Sequence, residues 1–343
     1  MSNQMLALKI YGKLDMKLEI TDIPIPKSNQ VRIKISYVGI CGSDLHYYFE
    51  GANGSFIVKE PLIPGHELSG VIDLDPSGKY KAGTKVTVHP SRPGNIQEGI
   101  ENQPHLWPQG SYLGSAATNP HTQGAMSEYL VVEDYMVREI PEDLDLEIAA
   151  LAEPLGVAIH AINICESIPG KEIKNKKVLI SGSGPIGLLV AAACKIYGAK
   201  EITCSDVVDG ALQRALEVGA NKIINVSKEN IPQENFDLVF ECAGVARAVS
   251  AALESVKRNG VVIQVGMLAA GEQNIRLSSL VSKEVKYLGV FRFNNEIDEA
   301  IKMLKNNPGL KKVITQVFPI SEAVAAFEIA KNSEISGKVL VKL

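Results

Sequence analysis

Cysteine is scarce in this chain of 343 residues and is nowhere paired. Cys41, Cys165, Cys194, Cys204 and Cys242 lie far apart without any CxxC spacing, which excludes a disulfide framework and a cysteine-only zinc knot. Positive charge is not in surplus either. Thirty-five Lys and Arg against 39 Asp and Glu leave a net charge of -4 and no basic footprint for a phosphate backbone, so nucleic acid is not an expected partner. No apolar run approaches the roughly 18 residues that would span a bilayer. The opening MSNQMLALKIYGKLDMKLEI also lacks a basic start followed by an apolar stretch, so no membrane association is expected and the chain reads as cytoplasmic.

What is present is an ordinary globular composition, 45% hydrophobic and 22% charged, enough for a full core and for about two domains at this length. From about residue 5 to 140 the chain is punctuated by Gly and Pro, with short alternating runs such as Gln30–Ser36 that predict half-buried strands. This reads as an antiparallel, barrel-like domain with long loops, the least regular being 91–119. At Ile148 the character changes to apolar residues at helical spacing. From Lys177 onward, VLISGSG, EITCSD, KIINV, FDLVFECAG and GVVIQVGM alternate with helical or turn material, the rhythm of a parallel sheet with crossover helices. The last strand, Lys338–Leu343, is expected to rejoin the first domain. The reading divides the chain into 1–155, 156–294 and a return over 295–343.

Gly182-Ser183-Gly184-Pro185-Ile186-Gly187 follows the apolar strand Val178–Ile180 and opens a helix, the context that a GxGxxG dinucleotide fingerprint requires. The first glycine permits the tight turn, the second lets backbone approach a pyrophosphate, and the third allows close helix packing while the helix N-terminus faces the anion. Asp206 ends the next strand, where a carboxylate accepts the ribose hydroxyls and repels a 2′-phosphate, so NAD is expected over NADP.

Two segments of the first domain carry metal-binding chemistry: Gly39-Ile40-Cys41-Gly42-Ser43-Asp44-Leu45-His46-Tyr47 and Pro64-Gly65-His66-Glu67-Leu68-Ser69-Gly70. Thiolate and imidazole suit Zn²⁺, and Cys41 and His66 are the ligands the residues themselves suggest. With CGSDLH, GHELSG, AEPLGVAIHA and SGSGPIG in this order, the chain resembles the zinc-containing medium-chain alcohol dehydrogenases over nearly its whole length. Within that family ICGSDLHYY, LGSA, PHTQGAMSEY and GVFRF are similar to the sorbitol and L-idonate 5-dehydrogenase branch.

The resemblance implies an α/β architecture with a GroES-like β-rich catalytic domain and a Rossmann domain with a doubly wound parallel sheet. It implies one catalytic zinc at Cys41, His66 and Glu67, with Glu153 either ligating the metal or holding its water. It implies a proton relay through Ser43 and His46, and Tyr47, Arg292 and Phe293 at the substrate. Val265, Gly266, Met267, Val290, Phe291 and Arg292 would join Gly182, Gly184, Pro185, Ile186, Gly187 and Asp206 at NAD. The implied reaction is hydride transfer between NAD and the secondary alcohol of a sugar acid, or alternatively of a neutral polyol such as sorbitol, xylitol or galactitol. Many relatives carry a second, structural zinc on four cysteines in the lobe after GHE. Here HPSRPGNIQEGIENQPHLWPQG contains none, so no structural zinc is expected.

His89 and His105, near that lobe, lack ligand-spaced partners and read as surface or packing residues, as does His160 on its apolar helix. His121 stays open between pocket and packing. Cys194 and Cys204 read as small buried hydrophobes, and Cys242 as unreactive near the cofactor. A zinc-free quinone reductase and a catalytically silent dinucleotide sensor are the competing readings; the joint presence of Cys41, His66, Glu67 and Glu153 argues against both. An apolar edge strand near Val285–Phe291 favours a homodimer or homotetramer.

Overall fold

The computed structural model describes residues 4–343. Two sheets organise the chain. The first has seven strands in the order Val137–Glu139, Lys85–Val88, Glu67–Leu74, Gln30–Gly39, Lys338–Lys342 and Ile314–Pro319, with Tyr129–Glu133 also pairing Gln30–Gly39. Gln30–Gly39 is central because its alternate residues Val31, Ile33 and Ile35 all face one apolar core. The pairings are antiparallel except for Ile314–Pro319 with Lys338–Lys342, which run parallel and are joined by the helix Ala323–Lys331. A crossover helix is what a parallel pair needs.

The second sheet is wholly parallel: Lys222–Asn225, Glu201–Asp206, Lys177–Ser181, Phe236–Glu241, Val256–Gln264 and Lys286–Gly289. Its chain order, third-second-first-fourth-fifth-sixth, is that of the doubly wound dinucleotide fold. Continuous apolar runs suit it because both faces are covered. Val178, Ile180, Leu238, Phe240, Val261 and Ile263 face the larger helical core, while Leu179, Val239 and Val262 face the helix Ala246–Ser255.

The expected division at 155/156 falls within the helix Ala152–Glu166, which is buried against the helices Pro185–Ile196 and Ile297–Asn306. The return of the chain also comes later than residue 295. Ile297, Ala300, Ile301 and Leu304, and then Leu310 and Val313, still belong to the nucleotide-side core, and the catalytic sheet resumes only at Ile314. An amphipathic helix that buries its apolar stripe on the nearest available core explains the shift. Among the described residues no helix is long and apolar enough to cross a membrane.

Candidate functional site

Cys41 is the N-cap of the helix Gly42–Glu50. Buried Asp44 fixes that helix start: its carboxylate accepts hydrogen bonds from the Cys41 N–H at 2.9 Å and from the Gly65 N–H at 3.0 Å. One side chain thereby ties CGSDLH to PGHE. Cys41, His66 and Glu67 bring ligand atoms within 4.8 Å of one another. His66 Nδ1 is buried with no hydrogen-bond partner among the described residues. Burial alone would push the His66 pKa down, yet Cys41, Asp44 and Glu153 around it draw it up to about 10. A cluster so rich in anions, with an orphaned ring nitrogen, fits a divalent zinc ion, which replaces the proton on such ligands.

Glu153, at the start of the helix Ala152–Glu166, lies beside this group but is not part of it. Its Oε1 accepts a 2.6 Å hydrogen bond from the Tyr112 hydroxyl. Burial raises the Glu153 pKa, and the positive imidazole of His66 opposes the rise. Burial and the adjacent carboxylate push the Tyr112 phenol well above its ordinary range, so it is a donor. The Tyr112 ring meets that of His66 edge-on at 5.3 Å and carries the Arg292 guanidinium 3.8 Å above its centre. Arg292 has the left-handed backbone angle φ +54, a costly conformation for an arginine, and has no ion-pair partner among the described residues.

Sequence reasoning missed Lys338, which it read only as part of a terminal strand. The side chain is 2% exposed, lies 2.6 Å from the Glu67 carboxylate and donates to the Ile40 carbonyl at 3.0 Å. Burial pulls its pKa down, but the charges of Glu67, Cys41 and Glu153 more than reverse this and keep it protonated. A Cβ on Gly39 would collide with the Glu67 carboxylate, so the glycine makes room for the pair. Only a lysine leading into the apolar run Val339–Val341 hinted at this role.

Ser43 and His46 lie one helical turn apart, Ser43 half-buried beside Cys41 and His46 exposed and 3.0 Å from Glu50. Two expected substrate contacts, Tyr47 and Phe293, are buried. The Tyr47 ring is 1% exposed, and its hydroxyl is taken up by Ser115 and the Ala116 N–H. Phe293 is likewise inside, 1% exposed, with its ring on Gly156 and His89. In a strand-to-helix turn the alternate residue faces out, and that residue is Phe291, which lies beside Arg292.

Of the histidines read as packing residues, His89 and His160 are hydrogen-bonded, whereas His105 Nδ1 is buried without a partner among the described residues. His160 Nδ1–H donates 2.8 Å to Glu296, whose other oxygen accepts the Asn294 N–H, and His89 Nε2–H donates to the Asn294 carbonyl. Asn294 also reaches the Asn102 carbonyl in the lobe, and the rings of His105 and His160 meet at 5.0 Å. Burial alone would raise the Glu296 pKa, but the His160 hydrogen bond and charge bring it down to about 2. His121 is a framework residue: it accepts from the Lys59 N–H and donates to the Thr118 carbonyl. Cys165, Cys194 and Cys204 are buried, and burial raises their thiols, for Cys204 to about 12. Cys242 is pushed up in the same way.

The cofactor crevice is built from backbone at the carboxyl ends of the parallel strands. Gly182 has φ +94, and a Cβ there would lie 2.7 Å from the Ala243 nitrogen; one on Gly187 would drive into the Gly182 carbonyl. Gly184 is the N-cap of the helix Pro185–Ile196, with Pro185 at its first turn, followed by Ile186. Asp206 accepts the Ser183 N–H at 2.7 Å. Val265 and Gly266 follow the fifth strand in order, Met267 is 79% exposed at its tip, and Val290 and Phe291 follow the sixth.

Comparison with known proteins covers both halves. Residues 27–142 match the alcohol dehydrogenase GroES-like domain, and residues 185–306 match the zinc-binding dehydrogenase domain. The chain is 34% identical over 321 residues to L-idonate 5-dehydrogenase (NAD(P)(+)) of Escherichia coli K12, covering 91% of each. It is 33% identical over 352 residues to the sorbitol dehydrogenase of Bos taurus, covering 98% of this chain and 96% of the relative. The crystal structure of the E. coli L-idonate 5-dehydrogenase superposes with a TM-score of 0.92 at 32% identity, covering 99% of this chain and 98% of the other.

Proposed function

The chain belongs to the zinc-containing medium-chain alcohol dehydrogenases, and from that premise we propose that it is an NAD-linked enzyme oxidising a secondary alcohol of a sugar acid, in the manner of an L-idonate 5-dehydrogenase. The observation that carries the substrate class is Arg292: a guanidinium without an ion pair among the described residues, seated on Tyr112, whose ring meets His66 of the Cys41–His66–Glu67 group. A planar fork of donors without an acid of its own suits a bidentate carboxylate on the substrate.

Cys41, His66 and Glu67 would hold one zinc, which supplies a Lewis acid that lowers the pKa of an alcohol and polarises a ketone. Gly182, Gly184, Pro185, Ile186 and Gly187 would cradle the pyrophosphate, with Val265, Gly266, Met267, Val290 and Phe291 beside the rest of the cofactor and Asp206 on its ribose. Ser43 would accept the alcohol proton, and His46, exposed one turn further on, would release it to solvent. Lys338 offsets the charge of Glu67, so the ligand set does not carry its full negative charge into a buried site. The strand Lys286–Gly289 leaves a sheet edge that would pair with a second copy, giving a homodimer or homotetramer, which light scattering would show.

The test is a panel of L-idonate, D-gluconate, sorbitol, xylitol and galactitol, followed by NADH absorbance. A sugar acid should be preferred, and Arg292→Leu should raise its KM far more than that of any polyol. The sorbitol dehydrogenase relative makes a neutral polyol the second reading, and a preference for sorbitol unaffected by Arg292→Leu would select it.

A further inference from the structure

Tyr112 touches three members of the site at once. Its ring contacts His66, its face carries Arg292, and its hydroxyl holds Glu153. It lies on the two-residue strand Ser111–Tyr112, paired with Ser91–Arg92 at the base of the lobe, and is 5% exposed. Glu153 would otherwise have two attractive destinations, the metal group beside it and the Arg292 guanidinium. Among the described residues it forms no ion pair with Arg292 and lies outside the metal group, and one of its two oxygens, Oε1, accepts the 2.6 Å hydrogen bond from Tyr112 that anchors the side chain.

We propose that Tyr112 is a positioning residue whose hydroxyl restrains Glu153 from joining the Cys41–His66–Glu67 group while its ring keeps Arg292 free for the substrate. The proposal rests on the metal reading given above. The hydrogen bond joins the phenol to a carboxyl oxygen in a buried place, where losing one partner is costly. Losing it releases the carboxylate toward whichever positive centre is nearest. A phenylalanine would keep the stacking on His66 and Arg292 but could not restrain the acid, so the two functions of the ring separate in one substitution.

The test uses the full-length protein with Co²⁺ in place of zinc and azide as a probe for an open ligand position. In the wild type, azide should shift the visible cobalt bands. In Tyr112→Phe the bands should already differ without azide, and azide affinity should fall about tenfold, the scale of one hydrogen bond. The kcat for the preferred alcohol should fall while the KM for NAD stays unchanged. In a Glu153→Ala background, Tyr112→Phe should change neither the bands nor the azide affinity. Cobalt bands and azide affinity matching the wild type would overturn the proposal, as would changes of equal size in the Glu153→Ala background. If wild-type protein bound no cobalt, or bound it with a spectrum indifferent to Cys41→Ser, the metal reading itself would fall, and the proposal with it.

Discussion

At the glycine turn of the cofactor crevice what would meet a pyrophosphate is backbone, whereas at the metal centre almost everything is side chain. The crevice depends on space. Gly182 and Gly187 are there because any Cβ would strike a neighbouring peptide group, and the anion is received by N–H groups at a helix start. The metal centre depends on charge. Cys41, Asp44, His66, Glu67, Glu153 and Lys338 are brought together with little contact with solvent, and each is bearable only because another offsets it. The first kind of site fails by collision and the second by imbalance, so substitutions in the two should leave different signatures.

The largest effect is expected from Cys41→Ala. It should remove the metal and reduce activity to background while leaving NAD affinity within a few-fold, because the two sites lie on different sheets. Metal analysis should return one zinc per wild-type subunit and none for the variant; metal retained with activity lost would break the distinction. Gly187→Ala is the converse. Its Cβ meets the Gly182 carbonyl, so NAD affinity should fall by about 5- to 150-fold, with zinc content unchanged, on the scale of an overpacking cost of about 1–3 kcal/mol. Fluorescence titration of NADH would report it.

His46→Ala should be milder, about tenfold in alcohol oxidation, because an exposed relay can be partly replaced by water. The loss should be greatest below neutral pH, and imidazole buffer should restore part of the rate; equal loss at every pH without rescue would mean the proton leaves elsewhere. The smallest expected effect concerns stability. Glu296 is held at about 2 against an ordinary 4.5, so it stabilises the fold fully above the higher value, and that contribution drains away as pH falls toward the lower one. Glu296→Gln should therefore flatten the acid limb of a pH-dependent denaturation curve. An unchanged limb would show that His160 and Glu296 do not act as a pair.

The same contrast explains what could be read from the sequence. The crevice is nearly contiguous: strand, glycine turn, helix and acid fall within residues 177–206, and their spacing carries the reading. The metal centre draws on residues 41, 66, 67, 112, 153, 292 and 338, and only the first three stand in motifs whose residue types announce a metal. The burial of Tyr47 and Phe293 was not legible either, for a related reason. Proximity in sequence to a site says nothing about which face of the helix or turn a ring will take, and both were claimed by apolar cores. Lys338 was invisible because its meaning depends on the carboxylate it meets, 271 residues earlier in the chain.

That separation has a consequence for how the protein is made. During synthesis, Cys41, His66 and Glu67 emerge long before residue 338, and the strand Gln30–Gly39 waits for Lys338–Lys342 to take its place beside it. Until then Glu67 has no buried cation, and the nascent ligand set carries unbalanced negative charge that favours solvent over burial. A ribosome-bound chain stalled before residue 338 would display the donor atoms of the proposed metal site without its buried cation, so tight metal capture is expected to come late in the life of each molecule.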